Sequence, residues 1–485
     1  MKKTFKNLKR TYQFGKEYKK HLIYQVIGCV LVVVVNILKP LLLAKFIIEF
    51  TEYNWNQTII TGLLLLILEI ISSLKTVLIR KNTQIVRRGI VKNIQMKLGK
   101  EILDMKQSDL DKTSSGIFLQ RLTIDSDKLA ELFTTGMGYL TAIISNIGAF
   151  IAIFIIEYKM GLYYLFASFI LTLLNYVKTK KYALKDSEYR DKIDKVTSLS
   201  SELVKGNKDI KMLFAKKTFL DKLSECIDNQ NSKNFEMRNI EINYNLLIEI
   251  FNSIFSFGVI IVLILLVVNN DISIAIALAL FNYKDFVLTD LMTKVSALFE
   301  ECGNFNVSCK RIYAIIDSID FQKEKFGDKK IKEFNGTFEF KNVNFSYGEK
   351  SVLNDLSFKI ESGLTVGIVG KSGAGKSSIY NLIAKLYDVL NNQIYLDNND
   401  INVLDEESIR NNITIINQSP YIFNLSIKDN LKLVNQNFTE EEMIEACKLA
   451  CLNDFILTLP NKYDTVLGEG GVNLSGGQKQ RLAIA

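Results

Sequence analysis

Two hydropathy patterns divide this chain. Through roughly the first three hundred residues, unbroken apolar stretches alternate with segments that mix apolar and charged positions; beyond them the apolar runs shorten and begin to alternate with polar residues. A helix needs about 20 predominantly apolar residues to cross a bilayer. Six stretches meet or approach that length, at about 22–50, 58–79, 137–156, 161–177, 246–268 and 272–292. Residues 157–160 alone join the third to the fourth, and 269–271 the fifth to the sixth, so each pair is predicted to be an antiparallel hairpin. Pro40 falls inside the first stretch and predicts a kink, because proline removes a backbone donor.

The segments between spans two and three, and between spans four and five, contain almost no turn residues. Their helical periodicity, over 85–105 and 189–224, predicts rods that continue well past the bilayer. Each pair of rods needs a short crossing segment. The candidates are 115–122 (Ser-Gly-Ile-Phe-Leu-Gln-Arg-Leu) and 202–210 (Glu-Leu-Val-Lys-Gly-Asn-Lys-Asp-Ile).

Charge orients these spans. The net charge is +8, with Lys and Arg crowded into residues 2–20, 80–135 and 178–241, while 50–57 and 269–271 carry neither. Basic segments remain on the cytoplasmic side, so the two short connections face outward. No base-reading motif or aromatic-interleaved basic stripe accompanies the charge, which argues against a nucleic-acid partner. The basic start resembles a signal peptide, but the apolar run that follows is too long and lacks a small-residue cleavage site. Six cysteines in 485 residues argue against a disulfide scaffold, and a single histidine, His21, excludes sites that need two. Cys447 and Cys451 share the i,i+4 spacing of one helix face, which reads as packing. Glu69, Lys75, Glu249, Lys284, Asp285 and Asp290 fall within the spans. An ionisable group at membrane depth is a candidate for the transport path, and Glu249 and Asp290 are the leading ones.

From Thr337 the alternation Thr-Phe-Glu-Phe-Lys-Asn-Val-Asn-Phe-Ser-Tyr predicts strands. A further apolar strand is predicted at 364–369. It runs into Gly370-Lys371-Ser372-Gly373-Ala374-Gly375-Lys376-Ser377-Ser378, and a helix pattern follows. This is a complete G-x-x-x-x-G-K-[ST] phosphate loop between a strand and a helix. Its glycines let backbone N–H groups wrap phosphate oxygens at a helix N-terminus. Lys376 can reach the β- and γ-phosphates, and Ser377 can hold Mg²⁺. Near the end, Leu474-Ser475-Gly476-Gly477-Gln478 precedes a run of helix formers, another helix start that offers free N–H groups to an anion.

Together these two motifs make the chain resemble an ATP-binding-cassette transporter of the exporter type, with one membrane domain ahead of one nucleotide-binding domain. The resemblance implies a membrane all-α six-helix exporter-type domain followed by an α/β P-loop (RecA-like) cassette. The divisions are a cytoplasmic N-terminal helix at 1–20, a transmembrane domain at 21–311, a linker at 312–336 and the nucleotide-binding domain at 337–485. It implies ATP and Mg²⁺ as ligands, with Tyr347 stacking on adenine and Gln418 contacting Mg²⁺. Glu469 matches an exporter-specific loop. The two crossing segments look like coupling helices that dock on nucleotide domains. The family's head-to-tail dimer sets Ser475 and Gly477 against ATP held by the other chain. A second half-transporter, in a homo- or heterodimer, is therefore expected in the cytoplasmic membrane.

The family's Asp-Glu motif, which supports Mg²⁺ and activates water, and its later histidine follow the signature; neither is found here. The expectation is therefore a cassette incomplete at its C-terminus, with no catalytic base in this chain. That leaves open an active exporter, a non-hydrolysing ATP-binding partner or an inert fragment. The stretch 401–406 imitates the acidic motif but reads better as a loop in which Asp405 caps a helix.

Overall fold

The computed structural model describes every residue except Met1, Asp285, Lys332 and 469–471, together with the side chains of Lys2 and Thr289. Glu469 and Asp285 therefore lie outside the described residues. The chain forms two compact units, one of Met1–Leu103 and Ser114–Asp320, the other of Asp104–Thr113 and Phe321–Ala485.

The first unit is helical. It contains α1 (Lys2–Thr11), α2 (Lys19–Thr51) and α3 (Trp55–Leu103). The next helix, α4 (Gln107–Lys112), belongs to the second unit. Returning to the first, α5 (Ser115–Gln120), α6 (Ser126–Glu131) and α7 (Met137–Ile156) are joined by two π-helical turns into one rod. There follow α8 (Tyr158–Lys205), α9 (Asn207–Met212), α10 (Lys216–Val268), α11 (Ile274–Asn282) and α12 (Leu291–Ile316).

Among the described residues, five helices are long and apolar enough to cross a membrane: Lys3–Thr51, Trp55–Leu103, Ser115–Ile156, Tyr158–Lys205 and Lys216–Val268. The sixth expected stretch falls on α11, a π-helical segment at Phe286–Asp290 and the start of α12. Helices of 48 to 53 residues rise about 1.5 Å per residue, so α3, α8 and α10 are roughly 70–80 Å long against a hydrocarbon core of about 30 Å. They are the long rods that the charged periodic segments predict. Helix α2 runs through Pro40 without a break. Tyrosine hydroxyls within the apolar bundle find backbone partners, as a polar group away from water must: Tyr164 donates to the Leu280 carbonyl at 3.0 Å and Tyr283 to that of Ile37 at 2.6 Å.

The first crossing segment differs from its expected position. The chain turns at 104–114 and its short helix is α4; 115–122 is already the start of the returning rod. The turn signal is Thr113-Ser114-Ser115-Gly116, which ends the crossing rather than forming it. The second crossing lies at α9, overlapping the expected 202–210, with Gly206 between the helices. Of the intramembrane charges, Glu69 pairs with Lys39 at 2.7 Å, and Asp290 accepts from Asn146 at 3.1 Å with Lys294 3.4 Å away. Lys75 is buried and Glu249 exposed.

In the second unit, β1 (Phe338–Tyr347), β2 (Lys350–Ile360), β3 (Ile394–Leu396) and β4 (Asn399–Asp400) form an antiparallel sheet in the order β2-β1-β3-β4. Strand β1 buries Phe340, Val343 and Phe345 in one core with Leu382, Ile394 and Ile409, an irregularity between Phe340 and Val343 keeping both on the core side. The unit's remaining helices are α13 (Lys376–Ile383), α14 (Glu406–Arg410), α15 (Ile427–Lys432), α16 (Glu440–Leu449), α17 (Asn453–Thr458) and α18 (Gly476–Ile484). Asp405 caps α14 as its sequence indicates, accepting from the Ser408 N–H at 3.1 Å.

Two expectations fail in this unit. Residues 364–369 are not a strand: an extended apolar segment becomes one only where a neighbour supplies ladder partners, and no described strand does, leaving Leu364 and Val369 exposed. Cys447 and Cys451 do not share a helix face, because α16 ends at Leu449 and Cys451 turns left-handed at φ +54°. Cys447 packs in the core beside Leu452 and Ile456, whereas Cys451 is exposed.

Candidate nucleotide-binding site

The loop 370–378 closes onto itself before α13. Two of its glycines, Gly373 at φ +80° and Gly375 at φ +87°, adopt the left-handed backbone that a side chain disfavours. The Lys376 ammonium donates 2.8 Å hydrogen bonds to the carbonyls of Gly370 and Lys371, drawing both ends of the loop together. Ala374 N–H reaches the Lys371 carbonyl at 3.1 Å. Lys371, Ser372 and Ser377 are exposed, whereas Ser378, in the first turn of α13, is buried. A first helical turn leaves N–H groups without intrahelical partners, and the helix dipole favours an anion there. The loop geometry and the lysine on it fit a chain of phosphates.

Tyr347 stands at the end of β1, before the hairpin turn at Gly348. Its ring packs edge-to-face with Phe345 and Tyr387, at centroid distances of 4.8 and 5.1 Å, and stays 39% exposed. Its hydroxyl accepts from Asn381 on α13 at 3.3 Å, so the helix that begins at the phosphate loop also steadies the aromatic ring.

Ser475 caps α18. Its hydroxyl oxygen accepts from the Gln478 N–H at 3.3 Å, while the Gln478 side-chain oxygen accepts from the Ser475 N–H at 2.7 Å, a reciprocal capping box. Gly476 and Gly477 are exposed, with open space where a Cβ would be. The backbone oxygen of Gln418 accepts from the Gln480 side chain of this helix at 2.8 Å. The Gln418 segment and the signature helix are thus tied within one chain, a link that neither motif reveals.

Two groups around this site escape sequence reasoning. Tyr387 follows α13, and its hydroxyl hydrogen-bonds the carboxylate of Asp111 on α4. Burial, with Asp111 adding to it, pushes the Tyr387 phenol above its ordinary range, so it stays a proton donor at neutral pH. Next to it, Asp388 pairs with Lys106 at 2.7 Å. The run 104–113 carries three Asp and two Lys, and nothing in it points to this contact.

Residues 22–289 match the family described as the ABC transporter transmembrane region, and residues 353–485 match that described as ABC transporter. The chain is similar to the ATP-dependent lipid A-core flippase of Pectobacterium atrosepticum, at 28% identity over 405 residues. The corresponding flippase of Haemophilus influenzae is 29% identical over 410 residues, and that of Escherichia coli 27% over 405. Each alignment covers 82% of this chain and 68% of the relative. The chain belongs to the ATP-binding-cassette (ABC) transporter family, as an exporter-type half-transporter that crosses the cell membrane several times and carries an ATP-binding region in the cytoplasm.

Proposed function

We propose that the chain is one half of a dimeric exporter in which ATP binding and hydrolysis move a lipid-class amphiphile outward across the cytoplasmic membrane. The observation that carries the nucleotide half is Lys376, held on the carbonyls of Gly370 and Lys371 at the start of α13. On binding ATP, Lys376 exchanges these neutral acceptors for charged phosphate oxygens, a stronger class of hydrogen bond. Backbone N–H groups of 373–377 orient the phosphates, Tyr347 stacks on the adenine, and Ser377 with Gln418 would hold Mg²⁺. Bound Mg²⁺ offsets charge on the phosphates.

The exposed signature, Ser475 with Gly476 and Gly477, supports a role on the ATP of a second half-transporter. Met212, Leu213 and Phe214 also support dimerisation, since they stand 75–96% exposed at the end of α9, where an apolar surface needs a partner. The relatives named as lipid A-core flippases support a lipid substrate.

The test is reconstitution of the protein from its native membrane into vesicles containing a fluorescent short-chain phospholipid. ATP should move the lipid between leaflets, and Lys376→Ala should reduce both ATP hydrolysis and movement to background. Hydrolysis that persists in Lys376→Ala would overturn the nucleotide assignment. Hydrolysis without lipid movement would overturn the substrate class.

A further inference from the structure

Helix α4 is held to the second unit in two different ways. On one side its approach is a main-chain ladder: Lys106 N–H donates to the Gln322 carbonyl and Glu324 N–H to that of Asp104, each at 2.9 Å, while Asp109 accepts from the Gln322 N–H at 2.7 Å. These bonds run to the segment that follows α12 and contain no group of the nucleotide site. On the other side the attachment is made of side chains, and it leads directly to that site. Asp111 accepts from the Tyr387 hydroxyl, and the Tyr387 ring meets the Tyr347 ring edge-to-face at 5.1 Å. Phe345 closes the aromatic cluster, 5.6 Å from Tyr387 and 4.8 Å from Tyr347. A cleft of 520 Å³ is lined by residues of both attachments, Lys106, Asp109 and Asp111 together with Tyr347, Gly348 and Tyr387. Tyr387 therefore joins the Tyr347 ring to α4, beside the ion pair of its neighbour Asp388 with Lys106, and the chain on either side of α4 continues into long rods of the first unit.

We infer that Tyr387 is a positioning residue that makes α4 respond to the base of the bound nucleotide, through its ring contact with Tyr347 and its hydroxyl bond to Asp111. The inference rests on the ATP-binding reading above. An edge-to-face pair has a preferred geometry worth about 0.5–1.5 kcal/mol beyond burial, so a purine stacked on Tyr347 restricts Tyr347 and, through it, Tyr387. The hydroxyl bond to the Asp111 carboxylate is directional and charge-assisted, and it passes that restriction to α4. Phosphates alone engage this path weakly: among the described residues the hydrogen bond from α13 to the aromatic cluster is that of Asn381, beyond the phosphate loop, to the Tyr347 hydroxyl.

The experiment is hydrogen–deuterium exchange on the full-length protein in detergent, with Mg-ATP and with Mg-tripolyphosphate, which carries the phosphates but no base. Mg-ATP should slow exchange in both 371–378 and 104–113. Mg-tripolyphosphate should slow exchange in 371–378 only. In Tyr387→Phe and Asp111→Ala, ATP should still protect 371–378 while protection of 104–113 is lost. Asp111→Asn, whose amide oxygen still accepts from the phenol, should retain it. Equal protection of 104–113 by ATP and tripolyphosphate, or ATP protection of 104–113 that survives in Tyr387→Phe, overturns the inference. If ATP fails to protect 371–378 in the unaltered protein, the ATP-binding reading itself has failed, a separate result.

Discussion

Gly375 lies directly against Leu353: a Cβ added to the glycine would stand 2.6 Å from the leucine Cδ2, and 3.0 Å from Cγ1 of the neighbouring Val352. The phosphate loop is thus seated on β2 at Gly375, one of the two loop positions, with Gly373, where its backbone turns left-handed. Two independent constraints, a positive φ and the absence of space, select glycine there.

Gly375→Ala should therefore weaken ATP binding through the loop's shape, although no phosphate-contacting side chain changes. Left-handed strain in a residue other than glycine is worth about 1–3 kcal/mol, and the methyl must also displace Leu353. Titration with a fluorescent ATP analogue should show a loss of tenfold or more, by the conversion of about 1.4 kcal/mol per decade. Gly477→Ala, where the space is open, should leave that chain's own ATP affinity unchanged.

The cysteines should separate under alkylation. Burial pushes the Cys309 thiol up to about 12, whereas Cys451 is exposed. At pH 8 a thiol of that pKa is thiolate in only about one molecule in ten thousand. Brief treatment with N-ethylmaleimide followed by mass spectrometry should find Cys451 modified and Cys309 unmodified until the protein is denatured. Equal labelling of both would contradict the burial of Cys309.

Acid should remove the contribution of Asp405. The hydrogen bond with Ser408 leads in holding its carboxyl below the usual 3.8. A folded-state pKa below the unfolded one stabilises the protein at all pH values above the unfolded value, and that gain disappears as pH falls through the folded value. The difference in melting temperature between the protein and Asp405→Ala should hold from neutral pH down to about 5, then shrink below about 4. A difference that is constant across this range would mean that the charge is not what stabilises the cap.

What the chain revealed by itself is what short-range chemistry dictates. The phosphate loop, the Ser475 capping box and the Asp405 cap each involve residues within a few positions of one another, so their backbone geometry follows from local hydrogen bonding and from glycine's freedom. The apolar spans are legible for a related reason: in lipid a helix satisfies its own backbone, so length and hydropathy suffice.

Tertiary structure decided everything that depends on a distant partner. The apolar residues 364–369 have a strand's composition but, among the described residues, no strand pairs with them, so composition misleads there. Helix α4 was hidden because six residues show too little periodicity to separate a crossing segment from the rods around it. Lys39 meets Glu69 across 30 positions, and Asp111 meets Tyr387 across 276. Nothing local to Asp111 distinguishes it from any exposed acid on a short helix. Its role depends on the fold carrying a phenol to it, because hydrogen bonds act over about 3 Å of space whatever the separation along the chain.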